Sequence, residues 1–476
     1  MLSDNVLLPT DKPTRGLALE IYHHIKDLPI ISPHGHTDPA WFDENKAFEN
    51  PVELLIKPDH YIFRMFYSQG LRLEDFGIAR KDGKPVETDP RKIWQKVADN
   101  WYLFRGTQVG LWFDAQLKDV FGYEKPFTSE TASELYEHID NCLKQKEFLP
   151  REICKRFNIK LIATTDDVGD DLQHHKNIAK SDFDCKIVPT FRPDSVTNPE
   201  LHPVHKNIKK LAKKLNTKIE TYEDFIKVLA KRREYFKANG ATASDHGVTV
   251  PETYDLDKSQ CKDLFKKIVS NTATDKEKRI FSGQMLTEMA KMATEDGLVM
   301  QIHAGVFRNH NQRIQRKFGN DKGCDIPVKC DYVNGLHPLL SKVGNNRNFK
   351  VVLFTMDETV YTRELAPLAG HYPSVFLGPP WWFNDSPEGM KRFRHAVTEV
   401  AGFYNCSGFI DDTRALLSIP VRHDIARRVD ATYLAEMVLS GRLSKADALE
   451  VAYDLTYTQN IKVFNFDKLM EKKYAN

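Results

Sequence analysis

Two histidines separated by one glycine, His34-Gly35-His36, follow the apolar run Leu28-Pro-Ile-Ile31. Side chains on a strand alternate faces, so residues i and i+2 project together. If the strand runs through the pair, two imidazoles leave the end of a buried strand side by side, which suits a divalent metal. Gly35 lets a ligand or another chain segment approach closely. The pair alone is equally compatible with two histidines that merely cap a strand.

Other apolar, β-branched runs also end in chemistry-bearing residues. Residues 160–165 lead to Asp166-Asp167, and 186–191 lead to Arg192-Pro193-Asp194. Residues 240–244 lead to Asp245-His246, 298–302 to His303, and 349–354 to Thr355-Met356-Asp357. Residues 375–377 lead to Trp381 and Asn384, and 406–410 lead to Asp411-Asp412-Thr413-Arg414. With the first strand this makes eight candidate strands, the later ones alternating with helical stretches. That order describes an α/β chain folded as a (β/α)8 TIM barrel, whose active site is built at the C-terminal ends of the strands. In a closed barrel the first and last strands are neighbours. His34, His36 and Asp412 then form a three-ligand metal site with open positions. His303 is a fourth ligand or a hydrogen-bonding partner, and Arg192 and Arg414 are cations at the same mouth, suited to a carboxylate or phosphate.

The elements that position these residues divide the chain into four parts. Residues 1–37 hold a first helix, about 15–27, and the first strand. Residues 38–158 show no clear strand and carry aromatics at helical spacing. This is too long for a loop and too apolar for a linker, so it reads as a large helical insertion after strand one. The insertion is expected to bring His60 and Tyr61 over the barrel mouth. Residues 159–430 complete the barrel, and 431–476 are helices packed on it. Pro189 sits badly in a central strand, so the third strand is expected to be irregular. The lysines of 205–236 are the wet face of amphipathic helices. His174, His175, His202, His205 and His310 read as surface residues, and His246 as an even choice between structural and functional roles.

Lys and Arg (68) nearly balance Asp and Glu (66) over 476 residues, giving a formal charge of +2. No global field points to nucleic acid or a membrane surface, and no apolar run is long enough to span a bilayer. No secretory signal is evident at the N-terminus. Seven scattered cysteines without a CxxC read as reduced, buried thiols, and a cytoplasmic location is expected.

Longer motifs narrow the reading: Asp59-His-Tyr-Ile-Phe-Arg64, Thr164-Thr-Asp-Asp167, Phe191-Arg-Pro-Asp194, Ser244-Asp-His-Gly247, His303-Ala-Gly-Val-Phe-Arg-Asn309, Trp381-Trp-Phe-Asn-Asp385 and Asp411-Asp-Thr-Arg414. In content and order they resemble the uronate isomerase (glucuronate isomerase) family of the amidohydrolase superfamily, over almost the whole chain. The resemblance implies a barrel of the metal-dependent hydrolase type and an aldose–ketose isomerase. The reactions implied are D-glucuronate to D-fructuronate and D-galacturonate to D-tagaturonate. It places His34, His36 and Asp412 at the metal, and His60, Tyr61, Arg192, Trp381 and Arg414 around the substrate. Two departures show: Ser32 stands where the family pattern has Asp, and Asp411-Asp412-Thr413-Arg414 replaces Thr-Asp-Ser-Arg.

The expected chemistry is proton removal from C2 by Asp412 or Tyr61, with Arg414 offsetting enediolate charge and His60 assisting ring opening. Arg192 would bind a substrate oxygen or the carboxylate, with His303 and Trp381 also at the substrate. Zinc is the expected ion, as an exchangeable helper rather than the source of a nucleophile. A homo-oligomer is expected, without nucleic acid or membrane partners. The main rival is a metal-dependent amidohydrolase acting on an amide or ester, disfavoured because residues 240–247 hold no lysine to bridge two metals. A catalytically inert binding barrel is the other.

Overall fold

The computed structural model describes residues 2–4 and 6–470. Seven parallel strands form the ring: β1 (Ile30–Ser32), β2 (Ile159–Ala163), β3 (Lys186–Val188), β4 (Ala243–Gly247), β5 (Val299–Ala304), β6 (Val351–Thr355) and β7 (Val375–Leu377). β1, β2 and β3 pair in that order, and β4 to β7 pair as neighbours, with Asp245 opposite Gln301 and Phe354 opposite His303. Pro189, with no N–H to give the ladder, splits the third strand into β3 and a short continuation, Phe191–Arg192. That continuation pairs with Asp166–Asp167 on one side and with β4 on the other, and carries the ring across the break.

The expected eighth strand, 406–410, is not a regular strand. It makes one parallel bridge, Cys406 to Leu377. Side chains of the C-terminal segment take the carbonyls that a ladder would use: Gln459 Nε2 donates to Cys406 O at 2.8 Å, and Asn460 Nδ2 to Phe409 O at 2.7 Å. The ring closes instead through His36 N–H donating to Thr413 O at 2.9 Å. This bond sets the first and last strand segments side by side. The fourth strand is also shifted from its expected place at 240–244. It runs through Asp245 and His246, which therefore face opposite sides.

The barrel interior is filled by Ile31, Leu161, Ala163, Val188, Ala243, Val299 and Val352. Its floor is stoppered by Ile461, Val463, Phe464 and Phe466, which belong to the same apolar cluster. Lys350, just before β6, ties this stopper down through Lys462 O at 2.6 Å and Asn465 Oδ1 at 2.7 Å.

Seven α-helices fill the segment between β1 and β2, from Pro39–Glu44 to Pro150–Arg156. Four begin with proline: Pro39, Pro51, Pro90 and Pro150. Proline suits the first helical turn because its missing N–H would be unpaired there anyway. Asp38, Asn50 and Asp89 cap three of them through side-chain oxygens. Their aromatics form a common core, Phe66 stacked on Phe76 at 4.4 Å and Trp101 beside Phe113 at 4.5 Å. Each such fully buried ring contributes roughly 1.5–3 kcal/mol. The helix His60–Ser68 is thus held rigidly while its first residues face the barrel mouth. The long helix Asp275–Asp296 ends at Gly297, whose φ of 74° is the left-handed cap its position predicts. The division expected between 430 and 431 falls inside one helix, Ser418–Leu439, so barrel and C-terminal helices are continuous. Among the described residues no helix is long and apolar enough to cross a membrane.

Candidate active site

At the C-terminal ends of the strands lies a cavity of about 890 Å³, lined among others by His36, His60, Tyr61, Arg192, Trp381, Asp412 and Arg414. Seven of the nine residues picked from sequence therefore share one wall. The other two, His34 and His303, lie buried outside that lining, with their rings stacked 4.5 Å apart. His303, expected at the substrate, instead stacks on Phe354 at 4.1 Å and gives Nδ1 to Asp245 Oδ1 at 2.7 Å.

His34 Nε2 and His36 Nε2 approach the same oxygen, Asp412 Oδ1, at 3.5 and 3.1 Å. Asp412 reaches this position with φ of 38°, a left-handed conformation that aspartate tolerates better than most residues. Burial alone would raise its pKa, but His34 and the hydrogen bond from His36 outweigh it and hold the carboxyl far below the ordinary range. Burial pushes the His36 pKa down. The neutral imidazole that metal ligation requires is therefore favoured. The donor atoms of His34, His36 and Asp412 lie within 4.8 Å of one another. His34 Nδ1 and His303 Nε2 are buried without hydrogen-bond partners among the described residues. Two imidazoles and a carboxylate converging in this way fit a divalent cation.

A second group, His34, Asp245 and His303, also converges within 4.8 Å. Its carboxylate is already engaged, because Arg192 Nη1 stands 3.1 Å from Asp245 Oδ2 and Arg192 Nε 2.9 Å from Asp194 Oδ2. The pKa of Asp245 is held well below the usual range, burial being outweighed by Arg192 and then His303. A fixed guanidinium thus already balances the carboxylate of this second group. Gly247 makes room for it: a Cβ there would lie 2.6 Å from Arg192 Nη2.

Tyr61 is fixed from two sides. Its hydroxyl oxygen accepts the Phe383 N–H at 3.0 Å, and its proton goes to Asp385 Oδ1 at 3.1 Å. Arg422 Nη1 pairs with Asp385 Oδ2 at 3.1 Å, donates to Asp411 O at 3.0 Å, and its guanidinium lies 3.7 Å over the Trp112 ring. Burial and then Asp385 raise the Tyr61 pKa well above 10, so the phenol keeps its proton. His60 lies against Trp382 with ring centroids 4.5 Å apart. Burial, and then Arg414, push its pKa down to about 3. Asp385 and Arg422 escaped the sequence reading, although Asp385 closes the Trp-Trp-Phe-Asn-Asp motif.

The two departures from the family pattern meet in space. Ser32 Oγ and Asp411 Oδ1 lie 3.8 and 3.7 Å from where a Cβ of Gly35 would stand. Asp411 Oδ2 is 3.0 Å from His423 Nε2. A buried carboxylate is therefore present beneath the His-x-His segment, supplied by the last strand segment instead of the first. Three other readings change. His202, expected at the surface, lines the cavity. His175 is buried, with Nε2 2.8 Å from Thr164 Oγ1, and is no surface residue. His246 points away from Asp245 and pairs with Ser244 Oγ at 3.1 Å, a structural role.

Comparison with known proteins decides between the rival chemistries. The glucuronate isomerase (UxaC) family model matches residues 2–464. The chain belongs to the uronate isomerase family. The uronate isomerase of Rhizobium meliloti is 49% identical over 457 residues, 96% of this chain and 97% of that one. The crystal structure of glucuronate isomerase from Caulobacter crescentus superposes with a TM-score of 0.96 at 45% identity, covering 98% of this chain and 97% of the other. That of uronate isomerase from Thermotoga maritima gives 0.90 at 28% identity, covering 98% and 99%. Membership in this family, at such coverage, favours an isomerase over an amidohydrolase on the same barrel.

Proposed function

We propose that this chain interconverts D-glucuronate with D-fructuronate, and D-galacturonate with D-tagaturonate, as an aldose–ketose isomerase. The observation that carries the reading is Arg192. Its guanidinium is locked between Asp194 and Asp245 at the wall of the cavity that also holds Asp412. It is a pre-set cation for an acidic sugar.

His34, His36 and Asp412 would hold the divalent ion, for which zinc suits two imidazoles and one carboxylate. When bound, the ion supplies Lewis-acid polarisation to substrate oxygens and orients them. The chain's own residues do the remainder. Neutral His60 can accept and return a proton as the sugar ring opens. Of the two sequence candidates for the C2 base, Tyr61 keeps its own proton and shares it with Asp385, while Asp412 is present as the anion; His34 and His36 lower its basicity, so it acts as base with the ion weakly held. Both imidazoles approach Asp412 Oδ1, so Oδ2 would take the C2 proton and return it to C1. Arg414 offsets the negative charge on the enediolate oxygens. Trp381, packed edge-on to His303 at 4.8 Å, forms an apolar wall that limits water.

The test is keto-sugar formation from each uronate, with and without a chelator, together with exchange of the C2 hydrogen in deuterated water. Isomerisation with solvent exchange supports the reading. Turnover of neither uronate overturns it, and complete retention of label at C1 replaces proton transfer with hydride transfer.

A further inference from the structure

The loop after β5 brings one more carboxylate to the cavity wall. Asp321 lines the cavity, with Oδ2 3.3 Å from Arg414 Nη2, both side chains partly exposed. Three of the five residues from Gly319 to Gly323 are left-handed: Gly319 at φ 93°, Asp321 at 57° and Gly323 at 74°. Glycine adopts this conformation freely and aspartate tolerates it.

Both ends of the loop are anchored. On one side Lys317 pairs with Glu74 of the insertion, and Lys81 N–H donates to Lys317 O at 2.9 Å. On the other, Gly323 is pressed on the helix that carries His60, since a Cβ there would stand 2.6 Å from His60 O. Asp325 accepts Arg308 Nη1 at 2.8 Å and Asn309 N–H at 2.7 Å. Asp321 is held between these anchors and reaches Arg414.

The cavity's arginines differ in how they are held. Arg192 sits between two carboxylates, and Arg422 is fixed by Asp385, the Asp411 carbonyl and the Trp112 face. For Arg414, the ion pair among the described residues is the 3.3 Å contact with Asp321. A partly exposed pair of this length is weak and readily exchanged. The substrate oxygens at Arg414, and the negative charge that develops on them, compete with the Asp321 carboxylate for the guanidinium, so the carboxylate must yield.

We propose that Asp321 is a specificity-determining counter-ion. It occupies Arg414 in the absence of substrate and gives it up to the reacting oxygens of a bound uronate. Its carboxylate sets the affinity that an incoming anion must exceed. The inference rests on the reading of Arg414 as a substrate-binding cation.

Asp321→Asn in the full chain tests it. KM for D-glucuronate should fall about two- to fivefold, the worth of a partly exposed ion pair, with kcat within about twofold. Inhibition by D-gluconate, a sugar acid that cannot isomerise this way, should tighten similarly. Added salt should shrink the difference between variant and parent. Asp321→Glu, which keeps the charge, should stay near the parent. An unchanged or raised KM, a fall in kcat at constant KM, or a Glu variant that behaves like the Asn variant would each overturn the proposal. D-gluconate binding followed by tryptophan fluorescence separates this inference from the isomerase reading. If the parent turns over no uronate, tighter D-gluconate binding by Asp321→Asn still supports the counter-ion. Equal binding, or binding by neither protein, overturns it.

Discussion

Tyr61 and Asp385, 324 residues apart in sequence, are joined by a 3.1 Å hydrogen bond that ties the helical insertion to the loop after β7. Asp385 also accepts Gln108 Nε2 at 3.2 Å and pairs with Arg422. Tyr61→Phe removes the hydroxyl, which takes the acceptor from the Phe383 N–H and leaves Asp385 Oδ1 with Gln108 alone. We expect a loss of about 1–3 kcal/mol in denaturant-unfolding stability, the usual cost of an unsatisfied buried polar group. We also expect kcat on D-glucuronate to fall by at least about tenfold, because residues of the insertion would no longer be fixed over the mouth. Parent-like kcat would show that this tie does not position the site.

The contact of Gly247 with Arg192 predicts a different signature. Gly247→Ala places a methyl 2.6 Å from Arg192 Nη2 and 3.2 Å from Asp194 Oδ2, so the guanidinium must move. KM should rise by about tenfold, with kcat affected less, since a uniformly binding contact is displaced. Steady-state kinetics on D-glucuronate and D-galacturonate check this, and an unaltered KM would remove Arg192 from substrate binding.

Metal removal and ligand substitution should diverge. His36→Asn should lower bound divalent metal, measured by elemental mass spectrometry, by at least about tenfold. If the ion is a helper, chelated parent protein keeps part of its turnover. Asp412→Asn, lacking the base, should lose at least about a hundredfold. Equal losses in the two would make the ion indispensable.

Acid should destabilise the fold through its buried neutral histidines. Burial pushes the His246 pKa down to about 3, against 6.5 for an ordinary imidazole. In that window the unfolded chain binds the extra proton and the folded chain does not. Stability is therefore present above pH 6.5 and is lost as pH falls, on the order of 3 kcal/mol by pH 4 for this residue. Asp166, raised to about 7 chiefly by burial, works in the opposite sense, losing stability as pH rises toward 7. Urea midpoints from pH 4 to 7 should show a shallower acid limb in His246→Gln than in the parent. Parallel limbs would exclude His246 as a contributor.

Much of this site is legible in the chain because its residues sit at the ends of apolar runs. His34, His36, Arg192 and Asp412 are each found one to four residues past or at the end of a strand segment, which is where a barrel builds its rim. Arg422 and Asp385 were not legible as a pair, because nothing local marks two residues 37 apart as partners. Asp245 reads as following its strand although it lies within it, and the three-residue shift hides its inward direction. The eighth strand looked regular because Cys406–Ile410 has strand composition. The carbonyl-binding side chains that prevent a ladder there, Gln459 and Asn460, come from a later helix. His175 reads as a surface residue in sequence because its partner, Thr164, lies on another element.

The aromatic stopper formed by Phe464 and Phe466 closes the far end of the barrel. Among the described residues, a vessel with a sealed base has a single doorway. Ketose must leave by the passage through which aldose arrives, so the two sugars queue for one threshold and each inhibits entry of the other competitively. The direction of net flux is then set by how far their ratio outside stands from equilibrium.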